Sequence, residues 1–184
     1  MRIIAGSLKG RKLVEFKGSI RPTSDRLRES LFDSLGRSVE DSVWLDLFAG
    51  SGAVGLEALS RGARHVVFND REFDARKLLN RNLKACGVAH GAETWDLDAI
   101  TFLRKNPARK VCTHIYLDPP YQYPRINKLL RTVIGSPVFD PENTLVMLET
   151  FKKTNVDLSQ VPLEVEKTLR GGDSLILMMR TSER

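Results

Sequence analysis

The chain has 184 residues, 41% hydrophobic and 28% charged, the proportions of an ordinary folded domain rather than of a fibre or a disordered segment. No apolar run approaches the roughly 20 residues that a membrane helix needs. Two cysteines, Cys86 and Cys112, and three isolated histidines, His65, His90 and His114, offer neither a disulfide framework nor a metal-ligand spacing, so a cytoplasmic protein without a metal site is expected.

The net charge of +6 is unevenly spread. Residues 1–30 hold eight Lys or Arg against three acids, a net of +5. A basic end on a nearly neutral body suits a phosphate backbone, because each neutralised phosphate releases counterions; a solvated tail that aids solubility is the alternative. Lys9, Arg11, Lys12, Arg21, Arg26 and Arg28 are the candidate contacts.

Residues 2–16 alternate loosely around Gly6-Ser7 and Lys9-Gly10 and predict a β-hairpin. A helix follows from an N-cap at Thr23 or Ser24 to about Leu35, with Leu27, Leu31, Phe32 and Leu35 on one face and Gly36 as its stop. Beyond it strands are predicted at 43–47, 65–68, 93–95, 111–117 and 144–148, with helices at about 53–61, 72–86, 98–105 and 125–134. This alternation implies a mostly parallel, Rossmann-like sheet covered on both faces. Residues 163–168 and 175–179, split by Arg170-Gly171-Gly172-Asp173, predict an antiparallel hairpin closing a seven-stranded sheet. The chain divides into a basic hairpin and helix, 1–36, and an α/β unit, 37–184, forming one compact body.

The first strand of that unit ends in Asp46 and runs into Phe48-Ala49-Gly50-Ser51-Gly52. Gly50 and Gly52 allow a sharp turn that brings backbone against a ligand at the carboxyl edge of the sheet, with Asp46 suited to the cationic amino end of a methionine moiety. Gly50, Gly52 and Gly55 also satisfy the dinucleotide spacing G-x-G-x-x-G, so NAD is a competing ligand. Asp70, at the end of the second strand, is placed to accept from ribose hydroxyls, which both cofactors carry. Asp98, followed by Ala99, reads equally as an acceptor for an adenine amine and as the N-cap of the next helix.

The fourth strand ends in Asp118-Pro119-Pro120-Tyr121, the most specific signal in the sequence. An exocyclic base amine is a poor nucleophile because its lone pair is delocalised into the ring. The Asp118 carboxylate and the Pro119 carbonyl could grip its hydrogens and aim the lone pair at an electrophilic methyl, with the prolines holding both acceptors in place. Tyr121 offers a face on which an extruded base can stack. A Pro-Pro strand terminator is the bland reading of the same residues.

From Met1-Arg2-Ile3-Ile4-Ala5-Gly6 and Lys9-Gly10-Arg11-Lys12-Leu13, through Arg21-Pro22-Thr23, Arg28-Glu29 and Leu45–Gly52, to Leu117–Tyr121, the chain resembles the RsmD-type 16S ribosomal RNA guanine-N2 methyltransferases. The resemblance implies a class I methyltransferase domain using S-adenosyl-L-methionine. Its implied substrate is a guanine of small-subunit rRNA, free or in the assembling small subunit, with the basic N-terminus on the RNA. It assigns Asp46, Gly50 and Gly52 to the methionine part, Asp70 to the ribose, Asp98 to the adenine, and Asp118 with Tyr121 to the guanine, with Phe48 and Ala99 as further cofactor contacts and Pro119 as a catalytic residue. Asp70 stands where glutamate is usual, and Leu97 where glycine is usual. The tetrapeptide handles adenine N6 as well as guanine N2, and a silent RNA-binding assembly factor is the non-enzymatic alternative.

Overall fold

The computed structural model describes residues 1–15, 25–120, 123 and 125–182. Tyr121, Arg21 and the expected N-caps Thr23 and Ser24 lie outside them. Helix α1 spans Asp25–Leu35. The alternating region gives β1 (Val43–Asp46), α2 (Ala53–Ser60), β2 (His65–Asn69), α3 (Phe73–Ala85) and β3 (Ala92–Trp95). It continues with α4 (Ala99–Lys105), β4 (His114–Leu117), α5 (Ile126–Ile134), β5 (Leu145–Phe151), β6 (Leu163–Gly171) and β7 (Ser174–Thr181).

The seven strands form one sheet in the order β3-β2-β1-β4-β5-β7-β6. Strands β1 to β5 pair in parallel, and β7 runs antiparallel between β5 and β6, as the terminal hairpin predicts. Burial on both faces makes the central strands continuously apolar, and their side chains divide by the two-residue period. Trp44, Val66, Phe68, Tyr116 and Met147 join α1 and α2 in one core. Leu45, Val67, Ile115, Leu117, Val146 and Leu148 join α4 and α5 in the other. Because the chain leaves β1 for β2 on one side and β4 flanks β1 on the other, the switch in strand order falls between β1 and β4, where such sheets open a crevice at their carboxyl ends.

Two expectations change. The strand expected from Val111 begins at His114; Val111 is exposed, and Cys112 donates its N–H to the Val138 carbonyl, outside the sheet. Among the described residues, the N-terminal hairpin is reduced to a single bridge between Arg2 and Lys12. Across it Ile3 donates to the Arg11 carbonyl, Gly10 to that of Ile3 and Leu13 to that of Met1, while other backbone groups are satisfied from elsewhere. The N–H groups of Ile4 and Ala5 donate to Glu57 on α2 at 2.8 and 3.0 Å, and that of Leu8 donates to the Ser60 hydroxyl at 2.9 Å. Val14 both donates to and accepts from the Asn82 amide on α3. The segment is therefore docked across α2 and α3 as a clasp.

Candidate functional site

The glycine loop after β1 is built as a tight turn. Gly50 and Gly52 have φ of 54° and 79°, in the left-handed region that favours glycine, and Gly52 opens α2. Gly55, one turn into α2, packs where a Cβ would lie 2.2 Å from the Phe68 ring, so helix and sheet meet without a side chain between them. Asp46 is buried beneath this turn and its Oδ2 accepts from the Gly55 N–H at 3.2 Å. Burial, opposed by that hydrogen bond and reinforced by the charge of Asp70, raises its carboxyl from 3.8 to about 7.

Asp70, just after β2, holds the loop by its backbone. Its Oδ2 accepts from the Gly50 N–H at 2.9 Å and its Oδ1 from the Glu72 N–H at 2.9 Å, so one carboxylate fixes both the glycine turn and the start of α3. Asp98 is the N-cap of α4, accepting from the N–H groups of Ile100 and Thr101, and its other oxygen lies 4.0 Å from the Arg71 guanidinium. Ala99 is buried directly behind it, and Phe48 meets Tyr123 edge-on with ring centroids 5.7 Å apart.

Asp118 leaves β4 at the same edge of the sheet, half-buried. Burial, then the neighbouring Glu149, then Asp46, hold its carboxyl well above the usual carboxylate range. Pro119 is half-buried and Pro120 exposed, and the Pro120 carbonyl accepts from the Tyr123 N–H at 3.0 Å.

Several participants were not singled out by sequence. Asn69, 1% exposed, donates from Nδ2 to the carbonyls of Leu47 and Leu97 and accepts from the Leu97 N–H, tying together the ends of β1, β2 and β3. Glu149, on β5, accepts from the Tyr116 hydroxyl. An Asn or Glu inside an otherwise apolar strand was the available signal. Tyr123 and Arg71 close the side nearest Asp98.

Of the proposed phosphate contacts, Lys9, Arg11, Lys12 and Arg26 are exposed. Arg28 is not; this is a correction. It is fully buried, donates to the Arg2 carbonyl at 2.7 Å and to Asp25 at 3.0 Å, and faces the equally buried Glu57 at 3.8 Å. A guanidinium so enclosed holds the N-terminal segment from within and has no face for a backbone phosphate. Among the described residues there is no cluster fit to hold a metal ion, and no helix is long and apolar enough to cross a membrane.

Compared with known proteins, residues 1–180 match the family described as conserved hypothetical protein 95. The chain is 34% identical over 154 residues to ribosomal RNA small subunit methyltransferase D of Haemophilus influenzae, covering 83% of this chain and 79% of that one. It is 41% identical over 125 residues to the protein of the same name from Escherichia coli K12, covering 66% and 61% of the two. Among solved structures, a hypothetical protein of Thermus thermophilus superposes with a TM-score of 0.80 at 30% identity, over 97% of this chain and 98% of the other.

Proposed function

Since the chain belongs to the RsmD-type family of ribosomal RNA small subunit methyltransferases, we propose that it methylates the exocyclic N2 amine of a guanine in small-subunit (16S) rRNA. The observation that carries this reading is Asp118-Pro119-Pro120 at the carboxyl end of β4, beside the glycine loop and Asp46 at the end of β1. Acceptors for an amine and a cradle for a cofactor thus share the one edge of the sheet where the strand order switches.

The residues fit S-adenosyl-L-methionine. A buried carboxyl beneath two left-handed glycines suits a cationic amino acid end, and it stands where a pyrophosphate, which NAD would bring, would meet repulsion. Asp46, Gly50 and Gly52 would hold the methionine part, with Phe48 beside them. Asp70 would hold the ribose and Asp98 with Ala99 the adenine. When bound, this cofactor supplies a methyl group on a sulfonium that is already activated for transfer.

The chain's task is then alignment and proton handling. Asp118 and the Pro119 carbonyl grip the amine hydrogens and turn the nitrogen lone pair out of conjugation, while Tyr121 provides a stacking face for the base. The nitrogen must shed a proton once it gains a fourth bond. A carboxyl held well above its usual range is a competent acceptor for that proton. The reading is tested by nucleoside mass spectrometry of 16S rRNA from cells with and without the gene, paired with methyl transfer by the purified protein. Loss of one N2-methylguanosine is expected; loss of an N6-methyladenosine instead would reassign the base, and an unchanged profile would refute the proposal.

A further inference from the structure

We propose that the outward face of α3, from Phe73 to Lys84, is a second RNA-contact surface, continuous with the basic N-terminal segment and distinct from the base-binding edge. The inference rests on the reading that the substrate is RNA.

The nearly neutral body of the chain hides a local concentration of charge. Helix α3 carries Arg76, Lys77, Arg81 and Lys84 against the single acid Asp74. At about 100° per residue, Phe73, Lys77, Asn80, Arg81 and Lys84 fall within an arc of about 100°. The buried Ala75, Leu78, Leu79 and Asn82 occupy the opposite side. Lys77, Arg81 and Lys84 are exposed and make no ion pair with any described residue. Lysine and arginine held in a row without carboxylate partners leave a field that only an external anion neutralises.

Phe73 adds what a merely solvated face would lack. It is 69% exposed, the most exposed of the large apolar residues described, and the Arg76 guanidinium lies 5.7 Å from its ring centroid. Together with Arg76, Lys77, Asn80, Arg81 and Lys84 it lines a shallow groove. An exposed aromatic ring next to a basic track is the pairing by which single-stranded nucleic acid is held, bases stacking on the ring and phosphates following the cations.

The track also leads somewhere. Phe73 begins the helix three residues after Asp70, at the candidate cofactor edge, and Lys84 lies about 16 Å further along the axis. There Arg11 donates to the Ala85 carbonyl at 3.1 Å, which joins α3 to the exposed Lys9 and Lys12. RNA whose target base reaches Asp118 would have its neighbouring strand led over Phe73 and along α3 to the N-terminal segment.

The test uses the full chain, a 16S rRNA fragment or small-subunit particle, and two variants: Lys77→Gln/Arg81→Gln/Lys84→Gln, and Phe73→Ala. Glutamine keeps the helix propensity of the residues it replaces, and thermal melts confirm folding. The triple variant should lower the salt slope of RNA binding by about 2 to 3, at roughly 0.7 to 0.9 for each phosphate no longer neutralised. Phe73→Ala should weaken binding about tenfold with its slope nearly unchanged. Both should raise KM for the particle while leaving kcat and S-adenosylmethionine affinity alone. Wild-type slopes and affinities in both variants, with methylation intact, would overturn this surface but not the enzymatic reading. Cofactor binding by a wild-type chain that shows no salt-dependent RNA binding would overturn both. Binding of polyglutamate that the triple variant loses, with RNA binding unaffected, would assign the face to an acidic protein and refute the RNA proposal.

Discussion

Replacing Asp46 by Asn should make the protein more stable at neutral pH, and the gain should disappear in acid. Asp46 is 2% exposed, and burial raises its carboxyl from 3.8 to about 7. Between those values the folded protein retains a proton that the unfolded chain has released. Stability therefore falls as pH rises from about 4 to 7, by about 1.4 kcal/mol per unit, or on the order of 3 to 4 kcal/mol in all. Asn removes the titration and keeps an oxygen for the Gly55 N–H. His114 works the other way: burial lowers its imidazole to about 4, so its contribution is present above about 6.5 and is lost as pH falls toward 4. Both proteins carry His114, so it cancels in the difference. Urea denaturation of wild type and variant from pH 4 to 8 should show the difference widening in favour of Asn. Over the same range, S-adenosylmethionine affinity of the wild type should rise about tenfold per unit up to pH 7, as the ionised carboxylate becomes available, while the variant stays flat. A stability difference independent of pH, or parallel cofactor profiles, would refute the argument.

Glu57→Gln should cost about 1 to 3 kcal/mol in chemical denaturation, because it removes the buried carboxylate that faces Arg28 and leaves that guanidinium only the more exposed Asp25 as a counter-charge. It should also expose the N-terminal segment to limited proteolysis, since Ile4 and Ala5 both donate to that carboxylate. Asp118→Asn should abolish methyl transfer with cofactor affinity retained in calorimetry, whereas Asp70→Ala should weaken cofactor binding first, because Asp70 fixes the Gly50 turn. Neutralising Lys9, Arg11 and Lys12 together should reduce the salt slope of RNA binding by about 2 to 3 without altering cofactor affinity, as measured by titration across a salt series.

The parallel sheet was legible because its strands are buried on both faces and its helices are amphipathic, signals that live within a few residues of chain. The placement of the candidate site residues was legible to the same extent. Asp46, Gly50, Gly52, Asp70 and Asp118 each end a predicted strand or follow one, and parallel strands deliver all such ends to one edge. What escaped were roles that depend on partners remote in sequence. The N-terminal hairpin was expected from alternation and glycine turns, and Met1, Ile3, Gly10, Arg11 and Leu13 do pair across it, but Ile4, Ala5, Leu8 and Val14 bond to residues more than 50 positions away on α2 and α3. Arg28 was grouped with the surface cations because charge patterning carries no information about burial, and Glu57, the buried carboxylate it faces, lies on another element. For Asp98 the sequence left two roles open. The cap uses Oδ1 and Oδ2 lies 4.0 Å from the Arg71 guanidinium, so the cap is the role the structure shows.

Asn82 shows how the proposed RNA-contact segments and the proposed cofactor loop are held in one frame. It is buried at the middle of the α3–N-terminal junction, and its amide accepts from the Val14 N–H at 2.8 Å while donating to the Val14 carbonyl at 3.0 Å and to the Ser51 carbonyl at 2.8 Å. Ser51 lies between the two left-handed glycines of the loop. One side chain thus connects the segment bearing Lys9, Arg11 and Lys12, the helix bearing Lys77, Arg81 and Lys84, and the turn that would carry the methionine moiety. No apolar residue could substitute, since the two donors and the acceptor of a primary amide are all engaged and a buried backbone group left unpaired costs about 1 to 3 kcal/mol. Alignment is what this chemistry requires of the protein, and a misplacement of about 1 Å can cost on the order of a hundredfold in rate. On the proposed reading, fixing the basic N-terminal segment, α3 and the glycine loop to a single amide would limit that error at its source, which a tethered basic arm could not do.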